Sequence, residues 1–154
     1  GITMARSNRP LTDFAIGKIK EYIDLGADRF VPAIGGNTSV RLEKSEDRDN
    51  VLFVTLFGER IVEIVSNDHG FQSVAVYDGG FYDGLGRPSR TTRERLNGIL
   101  DHLGAQQIIP EDVRVYFDRD SNVCYVGRDD ERQPIGKNYS PVVLTSNPYH
   151  VEFE

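Results

Sequence analysis

The chain has 154 residues, of which 38% are hydrophobic, 27% charged and 10% aromatic, and it carries a formal net charge of −6. That length and composition suit one globular domain over residues 4–154 and exclude a disordered or low-complexity chain. The negative charge excludes a protein that coats nucleic acid through a uniformly positive surface, and the lone Cys124 excludes an intrachain disulfide or a cysteine-rich zinc site.

No apolar run approaches the roughly 20 residues of a membrane helix, and no secretory leader pattern is present, so a cytoplasmic protein is expected. Gly1–Thr3 read as a remnant ahead of a start at Met4. Residues 11–25 are predicted to form a first helix, capped by Thr12, with Phe14, Ile16, Ile19, Tyr22 and Ile23 at helical spacing and Gly26 as its C-terminal stop. A strand is expected over 38–42, then a polar surface loop over 43–50. Residues 51–56 and 60–65 are rich in β-branched side chains and form a hairpin about Phe57-Gly58-Glu59, and a turn at 66–70 leads into a third strand over 72–77. Gly79, Gly80, Gly84 and Gly86 break regular structure. A helix over 92–103 follows, with Leu96, Ile99, Leu100 and Leu103 on one face and Gly104 as its stop. Residues 113–117 and 122–126 make a second hairpin around the turn at Asp118–Ser121. Residues 128–140 read as a polar loop, and 142–145 and 149–153 as weaker strands about Asn147-Pro148. The fold class expected is α+β: a mainly antiparallel sheet of hairpins and a meander, with two principal helices packed on it.

The segment 86–97 is the most informative for function. Thr91 and Glu94 have the spacing of a capping box, which explains a helix start. Arg87, Arg90 and Arg93 gather positive charge at the positive end of the helix macrodipole, which folding alone does not favour. With Ser89 and Thr92 they form a candidate anion- or nucleic-acid-binding site; pairing of the arginines with Asp78 or Asp83 is the alternative. Phe81 and Tyr82 are candidates for stacking on bases or on a partner, with core packing as the competing account. Asp118, Asp120 and Asn122 superficially resemble the start of a calcium loop, but Val123 stands where such a loop needs glycine, and a hairpin turn accounts for them. His69, His102 and His150 lack metal-ligand spacing, and Cys124 reads as a small buried hydrophobe. No catalytic residue, cofactor or metal is assigned.

The segments Leu56-Phe57-Gly58 with Ile61, Asp78-Gly79-Gly80-Phe81, and Arg90-Thr91-Thr92-Arg93-Glu94-Arg95-Leu96-Asn97 stand in an order that resembles a group of small bacteriophage-encoded proteins with no assigned activity. The resemblance covers residues 51–103. It implies a phage accessory protein made in the cytoplasm of a bacterial host. The leading expectation is a non-enzymatic protein that binds a host or phage macromolecule, with a protein partner and no membrane. Nucleic-acid or nucleotide binding at Arg87–Arg93 is the alternative, and a hydrolase using Asp118 and Asp120 is a third.

Overall fold

The computed structural model of the chain describes residues 9–47 and 49–145. In chain order the elements are α1 (Arg9–Leu25), β1 (Ala33–Gly35), β2 (Thr38–Lys44), β3 (Asn50–Leu56), β4 (Glu59–Asn67), β5 (Gly70–Val76), α2 (Arg90–Ala105), β6 (Arg114–Asp118), β7 (Val123–Arg128), β8 (Glu131–Pro134) and β9 (Val142–Thr145). One antiparallel sheet has the order β1-β2-β3-β4-β5-β9, and a second has the order β6-β7-β8. This is the expected α+β architecture, in two sheets.

Strand alternation makes the large sheet two-faced. Val40, Val54 and Val62 pair across neighbouring strands, as do Leu52, Ile64 and Val74, and all are buried. They form one core with Ala15, Ile19 and Tyr22 of α1 and with Leu96, Ile99, Leu100 and Leu103 of α2. Val115, Cys124 and Val126 of the small sheet join the same core, so Cys124 is the buried hydrophobe its sequence context predicts. The opposite face of the large sheet carries Ser39, Arg41, Phe53, Thr55, Arg60 and Glu63. A register shift after Val54 leaves Ile61 without a partner on β3, turns both Ile61 and Val62 inward, and keeps Arg60 outside opposite Thr55.

Several boundaries differ from the sequence reading. Thr12 does not cap α1, which already includes Arg9; it is buried within the helix at 4% exposure. Thr91 is not the cap of α2. Ser89 is, with extended backbone and its hydroxyl accepting from the Thr92 amide at 3.3 Å, while Glu94 turns outward to Arg90 at 3.0 Å and makes no capping box. Gly104 lies in the last turn of α2, and the reversal in backbone sign comes later, at Gln107 (φ 61). Gly26 does stop α1, with φ 83 and its amide on the Tyr22 carbonyl at 2.9 Å. The polar loop after β2 shrinks to residues 45–49 because β2 runs to Lys44 and β3 begins at Asn50. Strand β8 lies within the polar loop expected over 128–140, and β1 lies in the stretch before residue 38, where the sequence predicts no element. The proposed turn at Asn147-Pro148 and strand over 149–153 lie outside the described residues.

The two helices cross at Gly98. A Cβ built there would lie 2.2 Å from Thr12 Cγ2. Thr12 cannot swing aside freely, because its Oγ1 accepts from Arg95 Nε at 3.0 Å. Asn97, one residue earlier, holds β6 by both amide ends: Nδ2 donates to the Val115 carbonyl at 3.0 Å and Oδ1 accepts the Val115 amide at 2.8 Å. On an unencumbered helix Gly→Ala stabilises by about 1 kcal/mol; at this crossing the sign reverses, and Gly98→Ala is expected to cost about 1–3 kcal/mol in urea unfolding through overpacking.

Candidate functional site

Residues 78–89 form a closed loop between β5 and α2. Tyr82 bridges to Pro88, and the Ser89 amide donates to the Phe81 carbonyl at 2.9 Å. Asp83 is its hub: one carboxylate oxygen accepts the amides of Leu85 (2.9 Å) and Arg87 (3.1 Å), and the other accepts Arg87 Nε at 2.6 Å. Arg93 stands 3.9 Å from the same oxygen and donates through Nε to the Pro88 carbonyl at 3.0 Å. The Arg87 guanidinium also covers the Phe117 ring of β6 at 4.5 Å. Arg90, the most exposed of the three arginines, pairs with Glu94. Thr92 is fully buried against Ser89, so neither hydroxyl is free to greet a ligand at this helix start. Tyr82 donates to Asp78 at 2.8 Å; burial and then this bond push its pKa up to about 12.

Within 78–94, Asp78, Asp83 and Glu94 balance Arg87, Arg90 and Arg93. The structure thus brings Arg87 and Arg93 together around an internal carboxylate and pairs Ser89 with Thr92. Arg90 pairs with Glu94 instead.

Phe81 instead joins a residue from a different part of the chain. Its ring packs edge-on against Phe57 at 5.6 Å, and both rings are exposed, Phe57 at 59% and Phe81 at 46%. Phe57 occupies the first position of the two-residue turn between β3 and β4, with φ 52, followed by Gly58 with φ 82. Such turns favour Asn or Asp at the first position, because a residue with a bulky Cβ there costs about 1–2 kcal/mol. An exposed aromatic held in that conformation is a strained residue doing nothing for the core.

Phe57 also borders a groove of about 480 Å³ on the outer face of the large sheet, together with Ile34, Ser39, Arg41, Thr55 and Arg60. Arg60 stacks on the Phe53 ring at 3.8 Å and is tied to Glu43 (3.1 Å) and Glu63 (2.5 Å). The Arg41 side chain is exposed and makes no hydrogen bond or ion pair with any described residue. The sequence reading missed Phe57, Arg41 and the groove. Their one local signal was Phe-Gly where Asn-Gly is usual in a hairpin turn.

A family model described as Kyanoviridae Gp96 protein matches residues 21–134. The chain belongs to this family of bacteriophage proteins. The match agrees with the phage affiliation implied by residues 51–103, and it extends from the last turn of α1 through β8, so the loop, the groove, the small sheet and every strand of the large sheet except β9 lie inside it. Neither a curated protein nor a solved structure matches the chain. Among the described residues no helix is long and apolar enough to cross a membrane. Asp118, one of the two carboxylates of the hydrolase reading, is engaged by Arg132 at 3.0 Å and by the Asp120 amide at 3.0 Å within the β6–β7 turn.

Asp83 sets a pH dependence. Although burial works to raise its pKa, the Leu85 amide and the Arg87 side chain and amide outweigh it and hold the carboxyl below its ordinary value of 3.8. A depressed folded pKa contributes stability that is present above the ordinary value and lost as pH falls through the folded one. Urea unfolding should therefore show Asp83→Asn less stable than the unmodified protein at pH 7, with the difference narrowing below about pH 3.8.

Proposed function

We propose that this phage protein is a non-enzymatic accessory protein that binds a host or phage macromolecule, a protein, through the exposed end formed by Phe57 and Phe81. The observation that carries this reading is Phe57 itself. Its left-handed backbone costs stability, its ring gains little burial, and it packs edge-on against a second exposed aromatic presented by a loop that Asp83, Arg87 and Arg93 tie together. Paired, pre-ordered aromatics lose little entropy on contact and are frequent anchors of protein interfaces. The setting expected for such a contact is the cytoplasm of the infected bacterium.

The nucleic-acid alternative draws its support from Arg90, which is exposed beside the N-terminus of α2. Against it, the three arginines of the loop are matched by three carboxylates within 78–94 on a chain of net charge −6. Binding through phosphate contacts needs released counterions, and hence cations not already neutralised.

Pull-down from lysate of infected bacteria separates the two. The tagged protein should retain a protein partner that survives nuclease treatment, keep it with Arg90→Gln, and lose it with Phe57→Ser or Phe81→Ser. Retention that disappears with nuclease, falls steeply with salt and is lost in Arg90→Gln would replace this reading with the nucleic-acid one.

A further inference from the structure

Arg95 is the largest fully buried side chain among the described residues. A guanidinium stays protonated in any protein setting, so burial does not remove its charge. Yet among the described residues no carboxylate lies within ion-pair distance of it. Its acceptors are all neutral: Thr12 Oγ1 at 3.0 Å, Thr38 Oγ1 in a short contact, and Asn37 Oδ1 at 3.4 Å. Its second terminal nitrogen, Nη2, is buried without any partner. The acidic neighbour whose field reaches it, Glu94, is the adjacent residue in the chain and is paired to Arg90. A buried cation without a counter-charge is ordinarily destabilising.

Two of those acceptors, Asn37 and Thr38, line the groove on the sheet's outer face. The Asn37 oxygen is committed inward, since it accepts from both Arg95 and the Thr38 hydroxyl, the latter at 2.8 Å. The amide nitrogen of Asn37 therefore lies on the other side of the carboxamide, with two donors and no acceptor among the described residues. Along the groove it is followed by the hydroxyl pair Ser39 and Thr55, 2.5 Å apart, and by the unpaired guanidinium of Arg41. The groove lining includes two arginines and no carboxylate, although Glu43 and Glu63 flank Arg60 from outside it. At its rim stand the apolar faces of Ile34 and Phe57, both exposed. Ile34 pairs with Ser39 and the Phe57 amide donates to the Asn37 carbonyl at 2.8 Å, so the apolar side chains stand directly beside the donors in front of Arg95, with Arg41 further along β2.

We propose that this groove binds a small ligand carrying a phosphate or carboxylate group and a flat apolar part, with the anion at Asn37 and Arg41 in front of Arg95 and the apolar part against Ile34 and Phe57. The anion supplies the counter-charge that Arg95 lacks, and preformed donors in a partly shielded site bind an anion more strongly than exposed ones. This binding does not depend on the macromolecular contact proposed above. Phe81 lies outside the groove, so Phe81→Ser should abolish that contact and leave the small ligand bound.

The test follows backbone amide shifts of the full chain by NMR at constant ionic strength. The probes are inorganic phosphate, benzoate, adenosine 5′-monophosphate and, as a ring without an anion, adenosine. Benzoate or the monophosphate should shift Asn37, Thr38 and Arg41 at millimolar concentration or below; which of them binds tighter distinguishes a carboxylate ligand from a phosphate one. Phosphate alone should shift the same amides more weakly. Arg41→Gln should weaken binding about tenfold or more, the scale of one charge-assisted hydrogen bond, and Arg95→Met should weaken it as well. If Arg95→Met does not fold, Arg41→Gln, a surface change, still decides the matter. Absence of shifts with all the anions, adenosine binding as well as its monophosphate, or undiminished binding in Arg41→Gln would overturn the proposal.

Discussion

Helices α1 and α2 come together where a side chain larger than hydrogen would collide, at Gly98 against Thr12. That contact fixes more than the helix pair. It brings the Thr12 hydroxyl to Arg95, and it sets the rotation of α2 so that Leu96, Ile99, Leu100 and Leu103 face the large sheet while Asn97 clamps β6 of the small one. The start of α2 is fixed in turn, and with it the loop 78–89, whose Phe81 meets Phe57 at the tip of the β3–β4 hairpin. Residues distant in the chain share one end of the molecule because a single close crossing leaves α2 little freedom to rotate or slide.

Arg95 is the charge placed at that junction. Leucine or methionine would fill similar space without the desolvation of a permanent cation. Arg95 organises what lies in front of it: Thr38 and Asn37 turn their oxygens inward, and the groove is left with hydrogen-bond donors. Arg41 adds a guanidinium with no partner among the described residues, while Arg60, two strands over on β4, is held by two carboxylates. The same contrast separates the groove from the 78–89 loop, where Asp83 neutralises what resembled a basic cluster. The net acidity of the chain therefore leaves its uncompensated positive charge, among these residues, at Arg41 and Arg95.

How much of this was legible in the sequence depended on how local each cause was. The stripe of α2 and the β-branched runs of β3 and β4 are local patterns, and both appear where expected. β1, with the sequence Ala33-Ile34-Gly35, carries no strand signal of its own and exists because β2 offers it an edge. β8 reads as a loop because an edge strand keeps polar side chains such as Glu131, Arg132 and Gln133. Ser89 and Thr91 are both good caps two residues apart, and the bridge that closes the loop at Pro88 puts Ser89 in the extended backbone a cap requires. The arginine cluster was visible as composition, but its pairing with Asp83 depended on how the loop closes. Arg95 had a usable signal: it stands three residues after the buried Thr92 and four before Ile99, on the apolar face. The groove had no signal beyond the Phe-Gly turn at its rim, since strands β1 to β4 assemble it from residues 34–60.

The claim at the centre of this account is that Arg95 is kept for its charge toward the groove and is not required to hold the fold together. Equilibrium urea unfolding of Arg95→Met in buffer free of phosphate and carboxylate addresses it directly. The account predicts stability within about 1 kcal/mol of the unmodified protein, or above it, because an apolar side chain of similar length removes an uncompensated buried charge. A loss of about 3–5 kcal/mol, the size seen when a buried charge network is broken, would contradict it and make Arg95 a structural pin.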